Sequence, residues 1–210
     1  MGTYGSTWQA GGYAGAGSVA SLLGTLQGRP ALVCGNAAGV FEELDAAKAL
    51  TMDRDPVVFG VNDVGMYLHP MAHWVSLHGD KFPAWKAVRW AHAKGEETCL
   101  YHTMPPFEAD VMWEALRPVF ALSGYFAMQI AWLMGARPII LCGCPGMQAP
   151  RFFEATARPE FGYGNGPAGS DHAIREQLEN EMRRLPEFKA AVRSMSGWTA
   201  EFFGRPERGD

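Results

Sequence analysis

Residues 122–143 read LSGYFAMQIAWLMGARPIILCG, and this stretch decides the fold. Apolar side chains recur at Leu122, Phe126, Ile130 and Met134, one face of an α-helical period. Tyr125, Ala127 and Ala131 keep the other faces apolar or small, which predicts a helix buried nearly all round. Ser123 stands where an N-cap hydroxyl would hold the first free backbone N–H groups. Gly135 is placed to end the helix in the left-handed conformation. Pro138 then opens the run Ile139-Ile140-Leu141-Cys142, which stops at Gly143. An apolar run without alternation is what a strand covered on both faces requires. The unit is a helix feeding a central parallel strand, and the remaining elements are expected to pack around it.

A chain of 210 residues with 48% hydrophobic and 19% charged residues is globular and suits a single α/β domain. The net charge of −4 gives no electrostatic case for a nucleic-acid binder. Four cysteines, Cys34, Cys99, Cys142 and Cys144, are present, three of them in predicted buried strands. The C-x-C spacing of Cys142 and Cys144 has no second ligand pair nearby and is poor for zinc, so free thiols in a reducing compartment are expected and no metal site is assigned. No run approaches the roughly 18–20 apolar residues that span a bilayer. No basic region precedes an apolar core at the start, and the chain reads as cytoplasmic.

Residues 1–28 form a Gly/Ala-rich segment carrying Tyr4, Trp8 and Tyr13. It reads either as a flexible arm or as one that docks on a neighbouring subunit, which would make the protein a homo-oligomer. The domain proper is expected over 29–204, with 205–210 frayed. Strand Ala31–Cys34 leads through Gly35-Asn36-Ala37-Ala38-Gly39 into a helix over 40–50. Such a small-residue turn lets backbone N–H groups approach a phosphate, although it is neither a dinucleotide fingerprint nor a P-loop. A second strand, Val57–Val61, ends in Asn62-Asp63. A third, His73–Leu77, ends in His78-Gly79-Asp80, and a fourth, Thr98–Tyr101, ends in His102. Polar residues thus gather at four strand ends, where open parallel sheets bind ligands. Asn62 and Asp63 equally suit capping of the next turn, and His69, His73 and His92 read as packing or surface residues. The aperiodic segment 148–169 suits a mobile lid, and His172 follows it in the first turn of a charged helix. A last run, Ala191–Met195, reads as an edge strand.

The order of these motifs resembles a Rossmann-like superfamily that contains the Campylobacter-type bacterial sialyltransferases and the archaeal 6-hydroxymethylpterin pyrophosphokinase domain, with uncharacterised bacterial and phage-encoded relatives. The resemblance runs from Ala31 to Phe203 and lies in Gly35-Asn36, Asn62, Ser123-Gly124 and the strand ending at Gly143. It implies an open, mostly parallel sheet with helices on both faces and a nucleotide at the strand ends. Gly35, Asn36 and Asn62 match positions that hold the CMP portion in the sialyltransferases, and Ser123 and Gly124 match the helix against the nucleotide. His172 matches a histidine that acts as general base on the acceptor hydroxyl. The chain departs from the family at Ala37-Ala38-Gly39, where Gly-Pro-Ser is usual, and at Gly143-Cys144-Pro145, where relatives carry Gly-x-Asp.

Three functions are compatible with this reading. The first is glycosyl transfer from a CMP-type nucleotide sugar without a required metal, with His172 as base and His78 or His102 as runner-up. The second is pyrophosphokinase-like phosphoryl transfer, which needs Mg²⁺ and finds only Asp63 and Asp80 placed to hold it. The third is a catalytically silent domain reused for assembly, for instance in a virus particle. The missing carboxylate and the aromatic arm favour this last reading.

Overall fold

The computed structural model describes residues 18–92, 99–114, 116, 122–146 and 170–209. Among them seven strands run in chain order: β1 (Ala31–Cys34), β2 (Val57–Val61), β3 (His73–Val75), β4 (Leu100–Thr103), β5 (Val111–Met112), β6 (Ile139–Cys142) and β7 (Val192–Ser194). The helices are α1 (Val19–Leu22), α2 (Val40–Thr51), α3 (Phe82–His92), α4 (Ser123–Leu133), α5 (Ser170–Arg184), α6 (Pro186–Ala191) and α7 (Gly197–Phe203). The strands form one sheet in the order β5-β4-β3-β2-β1-β6-β7. Every pairing is parallel, with Ala31 in register with both Val57 and Ile139. This is the expected Rossmann-like α/β architecture.

Alternation along each strand explains the two layers. Val33, Phe59 and Leu141 point to one face, beneath Phe126 and Ile130 of α4, Met134 just past its end, and Met182 and Phe188 of α5 and α6. Leu32, Val58, Trp74 and Ile140 point to the other, beneath Val40 and Leu44 of α2 and Phe82 and Trp85 of α3. Burial on both faces is why these strands carry no polar alternation. Helix α4 crosses β1, β2, β3 and β6, so it is the pivot of its layer. Gly135 closes it at φ +89°, the left-handed turn that only glycine adopts without strain.

Residues 18–28, expected within an N-terminal arm, lie on the domain instead. Leu26 is buried, and the N–H groups of Gly24, Leu26 and Gly28 donate to the carbonyls of Leu133, Met134 and Gly135. The carbonyls that α4 leaves unpaired at its end are thereby satisfied. Arg54 adds a clamp, its Nη2 lying 2.6 Å from the Gly28 carbonyl and 2.7 Å from that of Arg137. Tyr4, Trp8 and Tyr13 lie outside the described residues. At the other end β7 is the edge strand expected, and Arg205 donates to the Met195 carbonyl at 2.9 Å. Among the described residues no helix is long and apolar enough to cross a membrane.

Candidate functional site

The carboxyl ends of β1, β2 and β3 meet the N-terminus of α4, and a hydrogen-bond chain links them. Asn62 follows β2 in the left-handed conformation, at φ +56°. It caps nothing: its Oδ1 accepts from Ser76 Oγ at 2.8 Å, and Ser76 Oγ in turn accepts the His78 N–H at 2.9 Å. Leu77 N–H donates to Ser123 Oγ at 3.2 Å. Ser123 is therefore not the expected N-cap. It is the first residue of α4, buried, with its hydroxyl turned to the end of β3, while Leu122 occupies the cap position and offers no side-chain bond. Asp63 is fully buried and accepts from Asn36 Nδ2 at 3.2 Å. Buried Arg89 of α3 holds the turn after Asn62 by donating to the carbonyls of Gly65 and Leu68.

Asn36 Oδ1 and Asn62 Nδ2 have no hydrogen-bond partner among the described residues. A Cβ built on Gly124 would meet nothing within 4 Å among the described residues, so open space among them lies beside the uncapped first turn of α4. Backbone N–H groups at such a turn carry partial positive charge and suit an anion.

The crevice between β1 and β6, where strand order reverses, differs from expectation. Gly35 and Gly143 were candidates for close approach to a phosphate, and each instead makes room for the other's loop. A Cβ on Gly35 would lie 2.5 Å from the Gly143 carbonyl oxygen and 2.6 Å from Cys144 Sγ, and one on Gly143 would lie 2.7 Å from Val40 Cβ. Ala37 N–H donates to the Gly143 carbonyl at 3.2 Å. Glu43, from the first turn of α2, accepts the Gly143 N–H at 2.7 Å. A carboxylate thus occupies the donor that a phosphate would use at this switch point. The four cysteines are free thiols. The hydrogen bond with its register partner Cys34, together with burial, pushes the Cys142 thiol far up, and burial raises Cys144 to about 12, so both stay protonated.

The histidines separate by environment. His102 was expected just past a strand, but β4 begins two residues later and the ring is enclosed, fully buried, inside it. Trp113 Nε1 donates to its Nδ1 at 3.1 Å, and its Nε2 lies 2.9 Å from His73 Nδ1. A sealed imidazole cannot reach an acceptor substrate, so His102 does not serve as the base that its place after a strand suggests. His73 packs as expected, stacked on Phe59 at 4.4 Å. His78 is exposed at the sheet edge and next to the Ser76 bond. His172 is exposed in the first turn of α5. That turn is on the same edge, since Arg175 donates to the carbonyl of Gly146, three residues past Gly143.

Among the described residues no three histidine, cysteine or acidic side chains converge as a metal would require. Asp63 is spent on Asn36, which leaves Asp80 as the exposed acid at this edge. The segment 148–169, expected as a lid, lies outside the described residues. Sequence reasoning missed Ser76, Glu43 and Arg89. Ser76 alone left a signal, as a hydroxyl in an otherwise apolar strand run. No family model matches the chain, and neither a curated protein nor a solved structure does.

Proposed function

We propose that the edge formed by Asn36, Asn62, Ser76, Ser123 and Gly124 binds a nucleotide, and that the protein is a glycosyltransferase-like enzyme using a CMP-type nucleotide sugar. One observation carries this reading: among the described residues the uncapped N-terminus of α4 opens on free space at Gly124, and the end of β3 ties it to Asn62, the Leu77 N–H donating to Ser123 Oγ and the adjacent Ser76 Oγ to Asn62 Oδ1. The phosphate would sit against the α4 N–H groups, and the unengaged Asn36 and Asn62 amide atoms would read the nucleoside. In the transfer, the bond between the anomeric carbon and the phosphate oxygen breaks and its electron pair leaves with the nucleotide. The acceptor hydroxyl attacks that carbon and its proton passes to an imidazole. His172 is the candidate, with His78 next. Charge developing on the leaving phosphate is what a helix N-terminus stabilises. A required metal has no place in this scheme, and the sequestered Asp63 makes the Mg²⁺-dependent alternative the weaker one.

Calorimetric titration with CMP and CMP-sugars in the absence of metal tests the site, and release of CMP in the presence of hydroxyl acceptors tests the chemistry. Binding that Asn62→Ala abolishes, with turnover lost in His172→Ala but binding kept, is the expected result. Folded protein that binds no cytidine, uridine or adenine nucleotide sinks the proposal. A second reading, a silent domain reused in assembly, is favoured by the Glu43 carboxylate seated on Gly143 and by the interlocked glycines of the switch point.

A further inference from the structure

A hollow of about 320 Å³ lies between the second half of α4 and the α5–α6 corner, away from the Asn62 edge. Buried Leu116 and Phe188 line it with half-buried Trp132, and exposed Arg184 and Glu187 stand at its mouth. The Trp132 and Phe188 ring centroids are 5.1 Å apart and tilted by 44°, so the two rings touch and form one continuous aromatic wall of the hollow. Gln129 also lines the hollow; it is only 8% exposed, and its Oε1 has no hydrogen-bond partner among the described residues. One turn earlier on the same helix face, the buried Tyr125 hydroxyl is likewise unpartnered among them, with its ring 6.1 Å from that of Phe188. Burial, and then Glu181, push the pKa of that phenol up, so it remains a donor.

Folded proteins pair their buried polar groups, and two orphans on adjacent turns beside a cavity call for an occupant. The volume is at the lower end of ordinary ligand cavities. Opposite charges at the mouth, with Arg184 already 3.0 Å from Glu181, leave no demand for an ionic ligand. An aromatic wall suits a flat aromatic body packed against it, and a primary amide is complemented best by another amide edge.

We propose that this hollow binds a small uncharged aromatic lactam or carboxamide, its ring laid against the wall formed by Trp132 and Phe188 and its amide edge paired with that of Gln129. The test is an NMR titration of the full-length ¹⁵N-labelled protein with benzamide and 2-quinolone, with benzoate and toluene as counterparts. Saturable shifts of the Trp132 indole and Gln129 side-chain signals by the two amides are expected. Benzoate and toluene should bind at least about tenfold more weakly, the order expected for one buried polar group left unpaired. Gln129→Leu should lose about as much affinity for the amides while melting no lower than the parent, since it removes an orphan polar atom. No saturation by either amide up to about 10 mM, the outcome if ordered water alone fills the hollow, overturns the proposal. Toluene binding as well as benzamide also overturns it, because the amide would then be irrelevant. That comparison needs only the parent protein.

Discussion

His73 Nδ1 and His102 Nε2 lie 2.9 Å apart on the adjacent strands β3 and β4. The Trp113 indole donates to His102 Nδ1 at 3.1 Å, so His102 carries its proton on Nε2 and gives it to His73. The pair is neutral and shares one proton; a second proton would set two donors face to face. Burial lowers the His73 pKa from 6.5 to about 4, and burial, then His73 itself, holds His102 well below its ordinary value. Both folded values lie beneath the unfolded one, so in that window the unfolded chain binds more protons. Stability therefore falls as pH falls from about 6.5 towards 4, by about 1.4 kcal/mol per pH unit for each imidazole. Urea midpoints measured from about pH 7.5 down to about pH 5 should decline, and more gently in His73→Phe. A flat profile across that range would show that the rings are not held neutral.

Trp113→Phe isolates the other end of the chain. Phenylalanine keeps most of the apolar surface but leaves His102 Nδ1 without its donor. A buried unpaired acceptor costs about 1–3 kcal/mol. The denaturation midpoint should drop accordingly; an unchanged midpoint would mean that the indole bond carries nothing.

Glu43 and the Gly143 N–H join residues 100 positions apart across the β1–β6 crevice. Glu43→Ala removes the acceptor, and the expected loss is about 1–3 kcal/mol in chemical denaturation. Glu43→Gln keeps an acceptor oxygen and should cost much less. Under the nucleotide reading, removing this carboxylate also relieves repulsion of a phosphate at the same edge. Glu43→Gln should then bind CMP roughly two- to fivefold more tightly, the scale of a solvent-screened charge pair. Equal or weaker binding would show that the Glu43 charge does not act on the bound phosphate.

Arg54 caps the opposite end of the sheet by bridging the carbonyls of Gly28 and Arg137. In Arg54→Met both carbonyls lose a charged donor, and each such bond contributes about 1.5–3 kcal/mol. Segment 18–28 should then exchange its amides faster than β1. Unchanged exchange at Leu26 and Gly28 would show that the backbone bonds to α4 suffice.

Local composition was enough for much of the scaffold. Strands β1, β2 and β6 are apolar runs bounded by Gly, Asn or Pro, and burial on both faces left them no other reading. The displacement of β4 shows where this stops. Tyr101-His102-Thr103 reads as a polar exit from a strand, yet Trp113 supplies the donor that lets His102 enter the interior. A partner eleven residues away has no local signature. The same holds at the candidate site. Ser123 has the residue type of an N-cap, but Leu77 claims its hydroxyl, and the glycines that seem ready for phosphate face each other. Residue type limits what a position can bind; only the fold decides which neighbour takes it.

The three glycines at this edge separate packing from binding. Alanine at Gly35 would put its methyl 2.5 Å from the Gly143 carbonyl, and alanine at Gly143 would add a φ of +62° to a 2.7 Å clash with Val40. Overpacking of this kind costs about 1–3 kcal/mol, and the left-handed backbone adds to it at Gly143. Gly124 differs, because nothing among the described residues lies within 4 Å of the added methyl and the backbone is helical. Gly124→Ala should stabilise the protein by about 0.4–1 kcal/mol through the unfolded chain's lost freedom. The same methyl occupies the space where a phosphate would approach the α4 N–H groups, so CMP binding should weaken while the melting temperature rises. Opposite signs in the two measurements mark a glycine kept for a ligand. If Gly124→Ala gains stability and binds CMP as the parent does, the phosphate does not sit on α4, and the case for a nucleotide at this edge falls with it.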